Sequence, residues 1–275
     1  MEIKYNKTVS AAEAAFLGYL AEEGKSWFRI EDAYGAFPNK SEGAVRFMLM
    51  RMLDKGLLIK VSKKIYWLVP FDQDADNYLP DWHLLAEPLA GGSRYYIGYY
   101  SALQIHGLIT QPSLKEQIVR ERRKTETVVL KGVEFQFIYH NAKHFFGVKK
   151  VWIDSYNKVP CSDLEKTMID CLYMPAYAGG IVEVAKALWM AREKLDYGKL
   201  LGYAKQFESQ VVMKRLGYLL DKLDIKTDII EPLHALRSAA VSPLDTEVPN
   251  TGKISTKWSI RQNVDIGTIL NAINN

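Results

Sequence analysis

Residues 40–64, KSEGAVRFMLMRMLDKGLLIKVSKK, constrain this chain more than any other stretch. Val45, Met48, Leu49, Met52 and Leu53 follow the i, i+3, i+4, i+7, i+8 spacing of a helix with one buried stripe. Asn39, Lys40 and Ser41 supply a turn and an N-cap, and Gly56 supplies the left-handed residue that ends such a helix. Residues 57–61 and 65–69 then run apolar around Ser62, Lys63 and Lys64, which predicts a hairpin with lysines at its tip. With a shorter helix around residues 31–34, the segment 28–69 has the element order of a winged helix-turn-helix.

On a helix that turns about 100° per residue, the side opposite the apolar stripe is centred on Gly43, Phe47, Met50 and Asp54, flanked by Arg46 and Arg51. These are residue types that meet DNA. Glycine allows close backbone approach, Phe47 or Met50 suits a thymine methyl, and arginine forks onto guanine or phosphate. The other reading of Phe47 is packing against the next domain. The candidate DNA contacts are Lys40, Ser41, Gly43, Arg46, Phe47, Arg51, Lys63 and Lys64. Residues 40–64 hold seven Lys or Arg against two acids, a net +5, whereas the whole chain carries only +4. The basic character is therefore local to this module, as in an electrostatic footprint for nucleic acid.

A chain of 275 residues suits two domains, and its 48% hydrophobic and 25% charged residues provide a core and argue against extended disorder. We place a first domain at 1–71 and a second at 78–275, with a subdivision near 160, because residues 71–80, FDQDADNYLP, are acidic, polar and end in proline. The fold class expected is α+β. Cys161 and Cys171 are too few for a disulfide framework and lack metal-ligand spacing with the five histidines. With no signal peptide and no apolar run long enough to span a bilayer, the expectation is a cytoplasmic protein without cofactor, metal or membrane partner.

Along the chain, residues 10–23 predict a first helix before Gly24, residues 81–91 another, and YYIGYYSALQIHG from Tyr95 a strand and a helix that ends at Gly107. The aromatic cluster at 95–100 reads as core or, less often, as a stacking platform for bases. His106 occupies a helix C-terminus, where the dipole favours a cation. Residues 117–152 alternate as strands of an antiparallel sheet and carry a second basic cluster, Arg120, Arg122, Arg123 and Lys124, with Lys149 and Lys150 further on. Those charges suit phosphate or an acidic partner, or simply guard exposed strand edges.

Ser162 and Glu165 have capping-box spacing for the next helix. Helices then follow over 181–195, up to Phe207 from an Asp196 cap, over 211–223 from a Ser209 cap, and over 229–239 opened by Asp228. A strand around 257–264 and a small terminal helix close the chain. Asp154, Asp163, Glu165 and Lys166 invite a metal-nuclease reading, but adjacency of Glu165 and Lys166 on a helix breaks the alternation that such sites place on strands. No phosphate-binding glycine loop, zinc spacing, nucleophile elbow or dinucleotide fingerprint is present, so the sequence predicts a non-enzyme.

The strings YYIGYYSALQIHGLITQ (95–111), VPCSDLEKTMIDCLYMPAYAGGIVEVAKAL (159–188), VVMKRLGYLLDKL (211–223) and PLDTEVPNTGKISTKWSIRQN (243–263) make the chain resemble the AbiEi family, the antitoxin and regulator half of abortive-infection toxin-antitoxin pairs. The resemblance implies a winged helix that binds inverted repeats in double-stranded DNA at its own promoter and represses the operon. It also implies a C-terminal region that counteracts a nucleotidyltransferase-like toxin without a stable complex. Family DNA contacts carry over to Lys40, Ser41, Gly43, Arg46, Arg51, Lys63 and Lys64. The alternative is a stand-alone regulator whose C-terminal domain senses a ligand or another protein.

Overall fold

The computed structural model describes residues 7–109, 111, 113–123 and 126–274. The chain forms two compact units, 1–92 and 93–275, in a mixed α+β fold.

The first unit begins at helix α1 (Ala11–Glu22), where the Ser10 hydroxyl accepts the Glu13 N–H and the Glu13 carboxylate accepts the Ser10 N–H at 2.7 Å. Strand β1 (Trp27–Arg29) leads straight into α2 (Ile30–Ala36), whose Asp32 carboxylate takes the Arg29 N–H at 2.7 Å. Helix α3 (Glu42–Asp54) is capped by Ser41, whose hydroxyl accepts the Ala44 N–H, and stops at Gly56, where φ is +67°. Strands β2 (Leu58–Ser62) and β3 (Ile65–Leu68) pair through a tight turn, and β1 joins β3 on its other side, all antiparallel.

The expected stripe of α3 is the core: Val45, Met48, Leu49 and Met52 are buried with Phe16, Leu20 and Phe28, whose ring meets Phe16 edge-on at 5.0 Å. Helix α4 (Trp82–Ala90) follows, capped by Asp81 and ended by Gly91 at φ +70°. The units divide after Gly92 rather than at residues 72–78. The acidic stretch is tied down locally, since the Lys7 ammonium donates to the Pro70 and Gln73 carbonyls at 2.7 and 2.6 Å.

In the second unit, β4 (Tyr95–Ile97) turns at Gly98 into α5 (Tyr99–Ile105). Then come β5 (Lys115–Arg120), β6 (Glu126–Leu130), β7 (Val133–Tyr139), β8 (Val148–Trp152) and β9 (Lys158–Ser162). They form one six-stranded sheet in the order β6-β7-β5-β4-β9-β8. The sheet is mixed, not antiparallel: β5 runs parallel to β7, and β4 parallel to β9. Alternation reports which face a side chain takes and is blind to strand direction. β9 escaped the sequence reading because Pro160 sits inside it.

Helix α6 (Leu164–Tyr173) is buried from Glu165 to Leu172 and packs against α5, α7 (Ile181–Ala191), α8 (Tyr197–Phe207) and α9 (Gln210–Lys222). Its N-cap is Asp163, which accepts the Lys166 N–H; Ser162 ends β9 instead, bonded to the Thr167 hydroxyl at 2.7 Å. Asp196 caps α8 as expected, while Ser209 precedes α9 without a side-chain cap. Helix α10 (Ile230–Leu236) starts after Ile229, so Asp228 does not cap it. A small sheet of β10 (Ser242–Pro243), β11 (Ile254–Ser255) and β12 (Ile260–Arg261) precedes the terminal helix α11 (Ile266–Asn274). Among the described residues no helix is long and apolar enough to cross a membrane.

Candidate nucleic-acid interface

Burial of one stripe of α3 leaves the opposite face in solvent. Phe47 and Met50 are 56% and 51% exposed, and Gly43, Arg46, Arg51 and Asp54 lie beside them on the surface. A Cβ at Gly43 would meet nothing nearer than the Ser41 hydroxyl at 4.0 Å, so the backbone there is open to a large partner. The Ser41 hydroxyl is already engaged by the cap, which leaves it spare acceptor capacity and its one proton to offer. Lys40 lies over the Phe37 ring at 4.8 Å.

The cations of this surface fall into two groups. Arg46 is held: its Nε donates to the Tyr34 hydroxyl at 2.6 Å and its Nη2 to Glu42 at 3.2 Å. Lys64 is held by Glu31 of α2 at 2.7 Å, and Lys55 by the buried Glu13 at 2.6 Å. Arg51, Lys60 and Lys63 are exposed and make no ion pair among the described residues. Arg46 is tied to Tyr34 and Lys64 to Glu31, both residues of α2, and the Arg46 charge works against the rise that Glu31 imposes on the Lys64 pKa. Helix α2 thus links the exposed face of α3 to the hairpin turn.

Beside the turn, Arg29, Glu31, Ser62, Lys63, Lys64 and Ile65 line a groove of about 530 Å³. Sequence reading missed Tyr34, Glu31 and Arg29. Each is a residue of ordinary type: Arg29 is brought to this surface by the pairing of β1 with β3, and Glu31 and Tyr34 by α2, which follows β1 directly.

Among the described residues the second basic cluster does not assemble. Arg120 is 2% exposed, paired with Glu126 and stacked over Phe137 at 4.1 Å, so it belongs to the interior. Arg122 and Arg123 are exposed after β5, whereas Lys149 and Lys150 are exposed on β8, the edge strand beyond β4 and β9. Lys124 lies outside the described residues. The lysines of β8 fit the protection of an open strand edge.

The acidic residues that suggest a metal site are engaged elsewhere. Asp154 Oδ1 closes a turn by accepting the Tyr156 and Asn157 N–H groups, both at 2.7 Å. Asp163 and Glu165 share Lys199 at 2.9 and 2.7 Å, and Lys166 is buried against Asp170. Among the described residues no three His, Cys, Asp or Glu side chains gather as metal ligands would. The aromatic cluster divides: Tyr96 and Tyr99 are wholly buried in the core, with their hydroxyls on either nitrogen of His140 at 3.2 and 2.6 Å, whereas Tyr95 and Tyr100 are only half-buried. His106 bonds the Ser162 carbonyl through Nε2 at 2.8 Å, and burial lowers its pKa, so it does not serve the helix end as a cation.

No protein-family model and no curated protein matches the chain. Among solved structures it is similar to the RV2827C protein from Mycobacterium tuberculosis, with a TM-score of 0.70 over 98% of this chain and 96% of that one. At 14% identity the likeness shows a shared fold.

Proposed function

We propose that the first unit is a winged helix-turn-helix, with α3 as the recognition helix and the β2–β3 hairpin as the wing, and that the protein is a DNA-binding antitoxin and autorepressor that acts without catalysis. One observation carries the DNA reading. The helix face that packs on nothing within its unit holds Gly43, Phe47 and Arg51, and its flanking Arg46 and the turn residue Lys64 are both tied to α2, through Tyr34 and Glu31. Arg51 and Lys63 are free to meet phosphate or a guanine edge at once; Arg46 and Lys64 must first leave Glu42 and Glu31, exposed pairs of small worth. The antitoxin part rests on the AbiEi-like strings of the second unit, and its functional partner is a nucleotidyltransferase-like toxin.

The experiment is binding of the full chain to a fragment of its own upstream region, against an unrelated duplex of equal length, across a salt series. Preference for the upstream fragment, lost in an Arg46→Ala/Arg51→Ala variant, supports the reading. Equal weak binding to both duplexes refutes the repressor. Co-expression with a nucleotidyltransferase-like toxin encoded beside it tests the antitoxin role, which fails if no such gene adjoins it or if growth is not restored.

A further inference from the structure

The second unit contains a cavity of about 730 Å³. Its size is that of a small-molecule site, and its chemistry is set by a chain of amides. The backbone N–H of Tyr100 donates to Gln117 Oε1 at 2.8 Å. A peptide N–H can only donate, so this bond fixes which way the Gln117 amide faces. Its Nε2 is thereby turned to Gln136 and donates to Oε1 there at 3.1 Å. Gln136 in turn is left with its NH₂ as the group to offer.

The Ser101 hydroxyl pins the origin of this relay. It accepts the Gln117 N–H at 2.8 Å and donates to the Lys115 carbonyl at 3.1 Å. Gln117 is only 3% exposed, so the polarity of the floor is built in rather than solvent-averaged.

Among its lining groups the cavity therefore presents the Gln136 NH₂ as a donor, beside the carboxylates of Glu183 and Glu247. Tyr100, whose hydroxyl is tied to the Gln111 carbonyl at 2.8 Å, and Tyr177, whose ring stands edge-on to Tyr99 at 5.2 Å, supply fixed aromatic surfaces in its lining. Lys186 also lines it, balanced by Glu183 at 3.2 Å. Flat aromatic surface together with amide donors suits a planar ring that carries carbonyl and ring-nitrogen acceptors, and a lysine already paired with an acid makes no strong demand for an anion.

We propose that this cavity binds the base of a nucleoside or nucleotide. The proposal goes beyond the DNA-binding reading and uses no residue of the first unit, so either can fail alone.

The test is isothermal titration of the full chain, without DNA, with adenosine, guanosine, cytidine, uridine and their 5′-monophosphates. At least one base is expected to bind with a Kd below about 1 mM. Gln136→Leu, on a half-buried side chain, is expected to weaken it by roughly tenfold or more, since a polar ligand group is then left without its partner. Equal affinity for nucleoside and monophosphate assigns the base alone, and tighter monophosphate binding adds a phosphate near Lys186; both support the proposal. In the unmodified protein, titration should move the side-chain amide NMR signals of Gln117 and Gln136, a readout independent of any variant's folding. Absence of binding by all eight compounds overturns the proposal, as does binding that leaves both amide signals in place.

Discussion

Lys166 and Asp170 stand one turn apart on α6, wholly buried, with the Lys166 ammonium donating to Asp170 Oδ1. Tyr96 closes the triangle, for its hydroxyl accepts from Lys166 at 3.0 Å and donates to Asp170 Oδ2 at 2.9 Å. Burial pulls the Lys166 pKa down and Asp170 pushes it back. A pair like this holds the fold because each charge needs the other, not because the pair outperforms an apolar core.

Removing one partner should therefore cost more than removing both. Asp170→Leu leaves a buried ammonium and is expected to lose about 3–5 kcal/mol. The double variant Lys166→Met/Asp170→Leu should recover a large part of that loss. Urea midpoints of the two single variants and the double variant decide it, and equal or additive losses would contradict the argument.

His140 makes stability depend on pH. The Tyr96 hydroxyl gives its proton to Asp170, so His140 Nδ1–H donates to it, and Nε2 accepts from Tyr99. Protonating Nε2 reverses that last bond, so that the Tyr99 hydroxyl must accept and its own proton loses this acceptor inside the core. Burial, with help from Lys166 and His144 and against Asp170, lowers the His140 pKa from 6.5 to about 4. Between those values the unfolded chain binds the proton and the folded one does not, so stability should fall as pH drops from 6.5 toward 4. His140→Gln should flatten that part of the urea-midpoint profile relative to the unmodified protein, because the carboxylates common to both cancel in the difference.

If the first unit binds DNA as proposed, Lys63→Ala should lower the salt slope of that binding by about 0.9 for each phosphate that Lys63 neutralises, equally on every sequence. Arg51→Ala should relax sequence preference if it reads a base edge. Glu31→Gln releases Lys64 from its partner at 2.7 Å and should strengthen binding to any duplex while leaving sequence preference unchanged. Fluorescence anisotropy at several salt concentrations separates the three.

These outcomes mark where sequence reading works and where it stops. The stripe Val45, Met48, Leu49 and Met52, the Ser41 cap and the stops at Gly56, Gly91 and Gly107 were legible because each is a local rule about period or φ. Arg120 was not, because its fate depends on Glu126 and Phe137, which β6 and β7 bring alongside β5. The same holds for the ties of Arg46 to Tyr34 and Lys64 to Glu31: a lysine at a hairpin tip is readable, but its partner comes from another element. The amide relay of Gln117 and Gln136 gave no signal at all, since nothing in sequence marks two glutamines on parallel strands as neighbours.

Gly217 and Trp258 give the sharpest stability test. Gly217 lies inside α9, where glycine costs helix stability, and the structure supplies the reason for it: a Cβ at 217 would fall 2.0 Å from Trp258 Cζ3 and 2.3 Å from Cη2. The ring is wholly buried, its Nε1 donates to Asp221 at 3.3 Å, and Asp221 is held by Lys257 at 2.7 Å, so the tryptophan has little room to withdraw. Helix propensity alone predicts that Gly217→Ala stabilises by about 1 kcal/mol. Overpacking predicts a loss of about 1–3 kcal/mol or more, and at 2.0 Å it should win. Trp258→Leu alone opens a cavity and should also destabilise. The two changes together should cost less than their sum, since the alanine methyl then occupies space the indole has left. Urea midpoints for the full cycle test the coupling, and strict additivity would mean that the ring and the glycine do not constrain each other.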